Sequence, residues 1–207
     1  MSRRVDYYYS LVSPWSCLGH RDFIAMARKH GVEVRYRPAA FSEVFPESGG
    51  LPLAKRHPLR QAYRLVDLQR WRERRGIPLR LHPKFWPLDP RLADRTVIAL
   101  AEQGQDVEAF LPRAFAGVFV EERDLADPAV VAALLAEAGI APEPVLAAAK
   151  SEACAATYAA NTAAALEAGV FGAPSYVLDG EVFWGQDRIE CLDEALTSAR
   201  PPYHADI

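Results

Sequence analysis

Val5-Asp6-Tyr7-Tyr8-Tyr9-Ser10-Leu11-Val12-Ser13-Pro14-Trp15-Ser16 changes its physical grammar half-way along. The first five residues, β-branched or aromatic around one aspartate, predict a strand. Ser13-Pro14 is helix-start chemistry: a hydroxyl that can cap an orphan N–H, then a proline whose fixed φ suits the first turn. Leu18, Phe23, Ile24, Met26 and Ala27 recur near helical spacing until Lys29-His30-Gly31 supplies a basic last turn and a glycine stop. Val32 to Arg37 alternates with period two and predicts a half-buried strand closed by Pro38. A strand, a helix of about fifteen residues and a second strand form a βαβ unit with parallel strands.

Beyond this unit the pattern turns helical. Phe41 to Pro58, with Pro46, Gly49, Gly50 and Pro52, predicts a surface loop with at most a turn of helix, of the kind that often serves as a lid. Leu59 to Arg75 predicts one helix stopped by Gly76 and Pro78. Asp89-Pro90 starts another that runs to Leu100, and alanine-rich helices are expected near 106–119, 127–138, 142–149 and 151–168. Strands return at Ser175–Leu178 and Glu181–Trp184 around Asp179-Gly180, a strong hairpin signal. Asp187 and Glu190 have the spacing of a capping box and predict a last helix with Asp187 as its N-cap. Neither end carries enough strands to be stable alone, so both should build one sheet.

The 207 residues are half hydrophobic and a quarter charged, with a net charge of -3. That is a globular composition with no polyelectrolyte signal, so nucleic acid is not an expected partner. From Lys55 to Arg80, however, nine Lys and Arg residues face only Asp67 and Glu73. Such a run is either a solvated helix face or a rim that attracts a carboxylate-bearing small molecule. Cys17, Cys154 and Cys191 are odd in number and form no C-x-x-C pair, which suggests neither a disulfide framework nor a zinc site. With no apolar leader and no stretch approaching a membrane span, a cytoplasmic protein without a metal is expected.

The order β-α-β, helices, β-β-α, with Ser13-Pro14-Trp15-Ser16 at the first helix mouth and Gly172-Ala173-Pro174-Ser175 before the hairpin, resembles the DsbA-like group of thioredoxin folds. Three blocks resemble the 2-hydroxychromene-2-carboxylate isomerases and the related kappa-class glutathione transferases. They are Tyr7 to Leu18, Tyr63 to Trp71 with Gly76-Ile77-Pro78-Leu79, and Phe171-Gly172-Ala173-Pro174 with Phe183-Trp184-Gly185-Gln186-Asp187-Arg188. The resemblance implies an α/β thioredoxin-like fold, with residues 1–40 and 170–207 forming the thioredoxin-like domain and 41–169 an all-helical insertion domain. It also implies glutathione as a recycled cofactor, a small aromatic carboxylate as substrate, a homodimer and a place in aromatic compound degradation. By that implication the thiolate adds reversibly to the substrate, which opens, rotates about a bond and eliminates it.

Ser13 and Ser16 stand where disulfide oxidoreductases of this fold carry cysteines, and hydroxyls cannot exchange disulfides. A hydroxyl at a helix N-terminus can instead stabilise a thiolate brought by another molecule. Ser13 is therefore the implied catalytic residue. Cys17 is its local rival, unless it faces the core as unpaired cysteines usually do. Ala173 and Pro174, implied to be joined by a cis bond, would offer backbone to the tripeptide; a trans proline opening a strand is the alternative. Trp184, Gly185, Gln186 and Asp187 would receive its γ-glutamyl end, free N–H groups suiting the carboxylate and Asp187 the ammonium, although a plain N-cap needs no ligand. Lys55 and Phe85 fall where the isomerases place a basic and an aromatic residue near the substrate, or else are surface and core. Leu51 departs from the asparagine that relatives commonly carry. A kappa-class transferase or peroxidase, and a non-catalytic thioredoxin-fold binding protein, are the alternative functions.

Overall fold

The computed structural model describes residues 3–205. Four strands form one mixed sheet in the order β2-β1-β3-β4. β1 (Arg4–Tyr9) runs parallel to β2 (Glu33–Pro38) and antiparallel to β3 (Ser175–Leu178), so that Tyr7 faces Tyr36 on one side and Tyr176 on the other. β4 (Glu181–Trp184) completes a hairpin whose turn residues, Asp179 and Gly180, have φ of 52° and 89°, the left-handed pair that a two-residue hairpin requires. Helix α1 (Pro14–Lys29) makes the crossover between β1 and β2.

Between the two halves of the sheet lie α2 (Phe41–Glu47), α3 (Pro58–Arg75), α4 (Arg91–Glu102), α5 (Val107–Phe119), α6 (Pro128–Glu137), α7 (Pro142–Lys150) and α8 (Glu152–Glu167), and α9 (Ile189–Ser198) follows the hairpin. The expected loop after Phe41 is corrected in its first half: it is a helix with Pro46 inside it, followed by a short 3-10 turn at Leu53–Lys55. Burial overrides local propensity here. Phe41 and Val44 pack with Tyr8, Ala165 and Val170, anchoring α2 beneath the sheet.

The strand period of two divides the core. Val5, Tyr7, Tyr9, Tyr176, Leu178 and Phe183 join the cluster that includes α1, α4, α5 and α9, whereas Tyr8, Val177 and Val182 meet α2 and α8. Tyr7 stacks between Tyr9 and Tyr176, with centroids 4.5 and 5.3 Å away. Among the described residues their three hydroxyls have no hydrogen-bond partner. Burying each ring stabilises by about 2–3 kcal/mol, which offsets the roughly 1–3 kcal/mol that an unpaired buried hydroxyl costs.

Candidate active site

Ser13 takes extended dihedrals, φ −90° and ψ 111°, and caps α1: its Oγ accepts the Ser16 N–H at 3.2 Å. Its hydroxyl also donates to the carbonyl of Ala173 at 3.3 Å. The Ala173-Pro174 peptide is cis, and the carbonyl of Pro174 accepts the Gly185 N–H at 2.9 Å. Three segments distant in sequence thus meet at the mouth of α1. No acidic side chain occupies the first turn of this helix, so its positive pole is uncompensated and favours an anion.

Gly185 has φ 106°, and a Cβ there would stand 2.4 Å from Asp187 Oδ1, so only glycine allows the chain to turn from β4 past the aspartate. The Trp184 indole lies over Gly172, where a Cβ would come within 2.3 Å of Nε1, and it tilts against Phe171 at 4.7 Å. Both rings are largely exposed. Gln186, by contrast, is buried. Its Oε1 accepts from Arg75 Nη2 at 2.8 Å and its carbonyl accepts from the same nitrogen at 3.1 Å, while Arg75 also pairs with Asp22 of α1. The Gln186 amide is a joint between α3 and the turn that follows β4.

Asp187 is not the N-cap of the last helix. The chain enters a 3-10 turn at Gln186–Arg188, so the cap position of α9 falls on Arg188, with no side-chain cap bond. The carboxylate of Asp187 is exposed and paired with Arg188 at 2.8 Å. The first N–H groups of such a turn have no partner within it and are available to an anion.

Two anchors missed at the sequence level hold the loop that carries Ser13. Asp94, fully buried on α4, accepts from Leu11 N at 3.0 Å, Ser10 Oγ at 3.1 Å and Tyr158 Oη at 3.0 Å. Burial raises its carboxyl to about 7 against the opposing pull of these donors. Trp86 donates its indole N–H to the carbonyl of Val12 at 2.9 Å, and the Arg64 guanidinium lies 5.2 Å over the Trp86 ring. Arg64 had one usable signal, its phase on α3 with the buried Leu68. Asp94 had none, because an acid one turn from Val97 reads as a solvated position. Burial pushes the Cys17 thiol up to about 12, leaving it inert as a nucleophile. Ser16 Oγ is fully buried and has no hydrogen-bond partner among the described residues. Lys55 and Phe85 are exposed, Phe85 beneath the Lys84 ammonium at 4.9 Å, and neither hydrogen-bonds to the Ser13 cluster.

A family model described as DSBA-like thioredoxin domain matches residues 4–197. A 2-hydroxychromene-2-carboxylate isomerase from Pseudomonas putida is 31% identical over 198 residues, covering 93% of each chain. One from Sphingobium xenophagum is 27% identical, covering 95% of this chain and 99% of that one. A solved structure of 2-hydroxychromene-2-carboxylate isomerase superposes with a TM-score of 0.80 at 27% identity, covering 95% of each chain. The cytosolic disulfide reductase DsbM from Pseudomonas aeruginosa, solved with GSH, shares the fold at 20% identity, with a TM-score of 0.67 over 95% of this chain and 96% of that one.

Proposed function

The chain belongs to the DSBA-like thioredoxin family and, within it, to the 2-hydroxychromene-2-carboxylate isomerase family, and from that premise we propose that it is a glutathione-dependent isomerase of a 2-hydroxychromene-2-carboxylate-type acid. The observation that carries this function is the Ser13 hydroxyl at the cap of α1, held between the Ser16 amide and the Ala173 carbonyl. Glutathione supplies a thiol that, once ionised, adds reversibly to an unsaturated carbon.

The residues present fit such a tripeptide. Ser13 Oγ–H turns from the Ala173 carbonyl to the sulfur, while the pole of α1 keeps that sulfur charged. Ala173, beside cis Pro174, offers backbone to an extended peptide. The N–H groups at Gly185, Gln186 and Asp187 suit the γ-glutamyl carboxylate, the Asp187 side chain suits its ammonium, and the exposed Trp184 ring offers apolar surface to the peptide. The Gly185 N–H would have to leave the Pro174 carbonyl, which makes the next two the better donors. Lys55 and Phe85 remain assigned to the substrate side by resemblance. The same proposal includes a homodimer, a cytoplasmic location and a role in breaking down aromatic compounds. Three unpaired cysteines and the lack, among the described residues, of any helix long and apolar enough to cross a membrane agree with that setting.

The test is turnover of a chromene-type carboxylate with glutathione, with free thiol measured in parallel. Isomerisation without loss of thiol is expected; loss of thiol would instead mark a transferase or peroxidase. Ser13→Ala should lower kcat by about 10²-fold or more while calorimetry still registers glutathione binding. Binding of glutathione without turnover, unchanged by this substitution, would reduce the chain to a binding protein.

A further inference from the structure

Most of the partly buried guanidinium groups have a carboxylate: Arg35 has Asp6, Arg75 has Asp22 and Arg200 has Glu181. Arg64 differs. It sits on the inner face of α3, half-buried against Trp86, and among the described residues no acid pairs with it or with its neighbours Arg56 and Arg60. Arg56 lies over the Phe45 ring at 5.7 Å and spends its Nε on the Leu51 carbonyl at 2.7 Å. Burial and the adjacent Arg56 bring Arg64 down to about 10. A cation drawn partly out of water beside a second cation is disfavoured unless an anion arrives from outside. Its place in the fold says where that anion would go. The ring under Arg64 is the one whose N–H holds the Val12 carbonyl, one residue before Ser13.

We infer that Arg64, supported by Arg56 and seated on Trp86, is a carboxylate-binding site linked to Ser13 through Trp86 and Val12. A guanidinium suits it better than an ammonium, because its planar fork pairs both carboxylate oxygens at once. The exposed Lys55 is then an outer cation on the substrate side, and the paired contact to the acid falls to Arg64. Two carboxylates share this chemistry: that of a planar aromatic substrate and that of the glycine end of the tripeptide. Assigning it to the former rests on the isomerase function proposed above; the site itself does not.

The test measures binding without turnover. Calorimetry with 2-hydroxycinnamate, its methyl ester and glutathione compares the unaltered protein with Arg64→Gln and Arg64→Lys, each checked by thermal melting. Arg64→Gln should weaken the acid about 10- to 100-fold, leave the uncharged ester unchanged, and be partly rescued by Arg64→Lys. An equal loss confined to glutathione would support the site and give it to the glycine carboxylate. Unchanged binding of both acids by a folded Arg64→Gln protein would overturn it. If that variant does not fold, Arg56→Gln takes its place, with a loss of at least a few-fold expected and no loss counting against the site. A protein that binds the cinnamate through Arg64 yet isomerises nothing keeps this site and loses the proposed function.

Discussion

Asp94 is an acid with no room for water, and its titration should be measurable. Its folded value of about 7 lies above the ordinary 3.8, so between those pH values the unfolded chain has released a proton that the folded chain still holds. The stability it contributes is complete below about pH 4 and is lost as pH rises through about 7. Asp94→Asn, which can still accept from Leu11, removes this dependence. Thermal melts should show the unaltered protein losing ground against the variant across that window, by on the order of 4 kcal/mol, with no further change above it. A second expectation concerns the thiols. Cys191 is exposed while Cys17 and Cys154 are buried, with burial raising them to about 12 and about 11. Alkylation near pH 8 followed by peptide mapping should therefore modify Cys191 alone in the native protein, and all three after denaturation. At this scale the capping role of Ser13 was legible, because a cap and its helix are neighbours in sequence. Asp94 and the Arg75–Gln186 joint were not, since their partners lie 83 and 111 residues away.

Helix α3 is a strut. Its inner face reaches Trp86 through Arg64 near one end and, through Arg75 at the other, both Asp22 and Gln186. Arg75→Met leaves the buried Gln186 oxygens without their donor, which should cost about 2–3 kcal/mol and lower Tm by several degrees. It should also loosen the turn that follows β4 and so weaken glutathione binding by calorimetry. α1 imposes a tighter tolerance. A Cβ on Gly19 would stand 2.5 Å from Gln186 Cβ, so Gly19→Ala should cost about 1–3 kcal/mol by overpacking. A melt unchanged by that substitution would mean that helix and turn do not touch. The long helices were legible because their starts and stops are chemical, as with Ser13-Pro14 at the start of α1 and Gly76, at φ 63°, at the end of α3. α2 was not, because its proline and flanking glycines argue against a helix that only packing on Tyr8 stabilises. The capping box at Asp187 misled for a related reason: a 3-10 turn begins one residue too early for the aspartate to cap.

Over the whole molecule, the order of strands means that β1 is completed by residues from both ends of the chain, and Tyr7 finds its stacking partner 169 positions later. Pairing at this separation carries a large loop-closure cost before any contact repays it. The hairpin and the βαβ unit were each legible locally, but their union into one sheet followed only from neither being stable alone. A chain cut before Ser175 should therefore fail to give a cooperative melt, whereas Arg4 to Pro38 and all seven intervening helices would still be present. During synthesis the consequence is a delay. At about 5–20 residues per second, the ribosome delivers β3 on the order of ten seconds or more after β1 has emerged. Through that interval one edge of an aromatic strand stands open to other nascent chains, and a chaperone that shields it would govern how much of the protein reaches the cell intact.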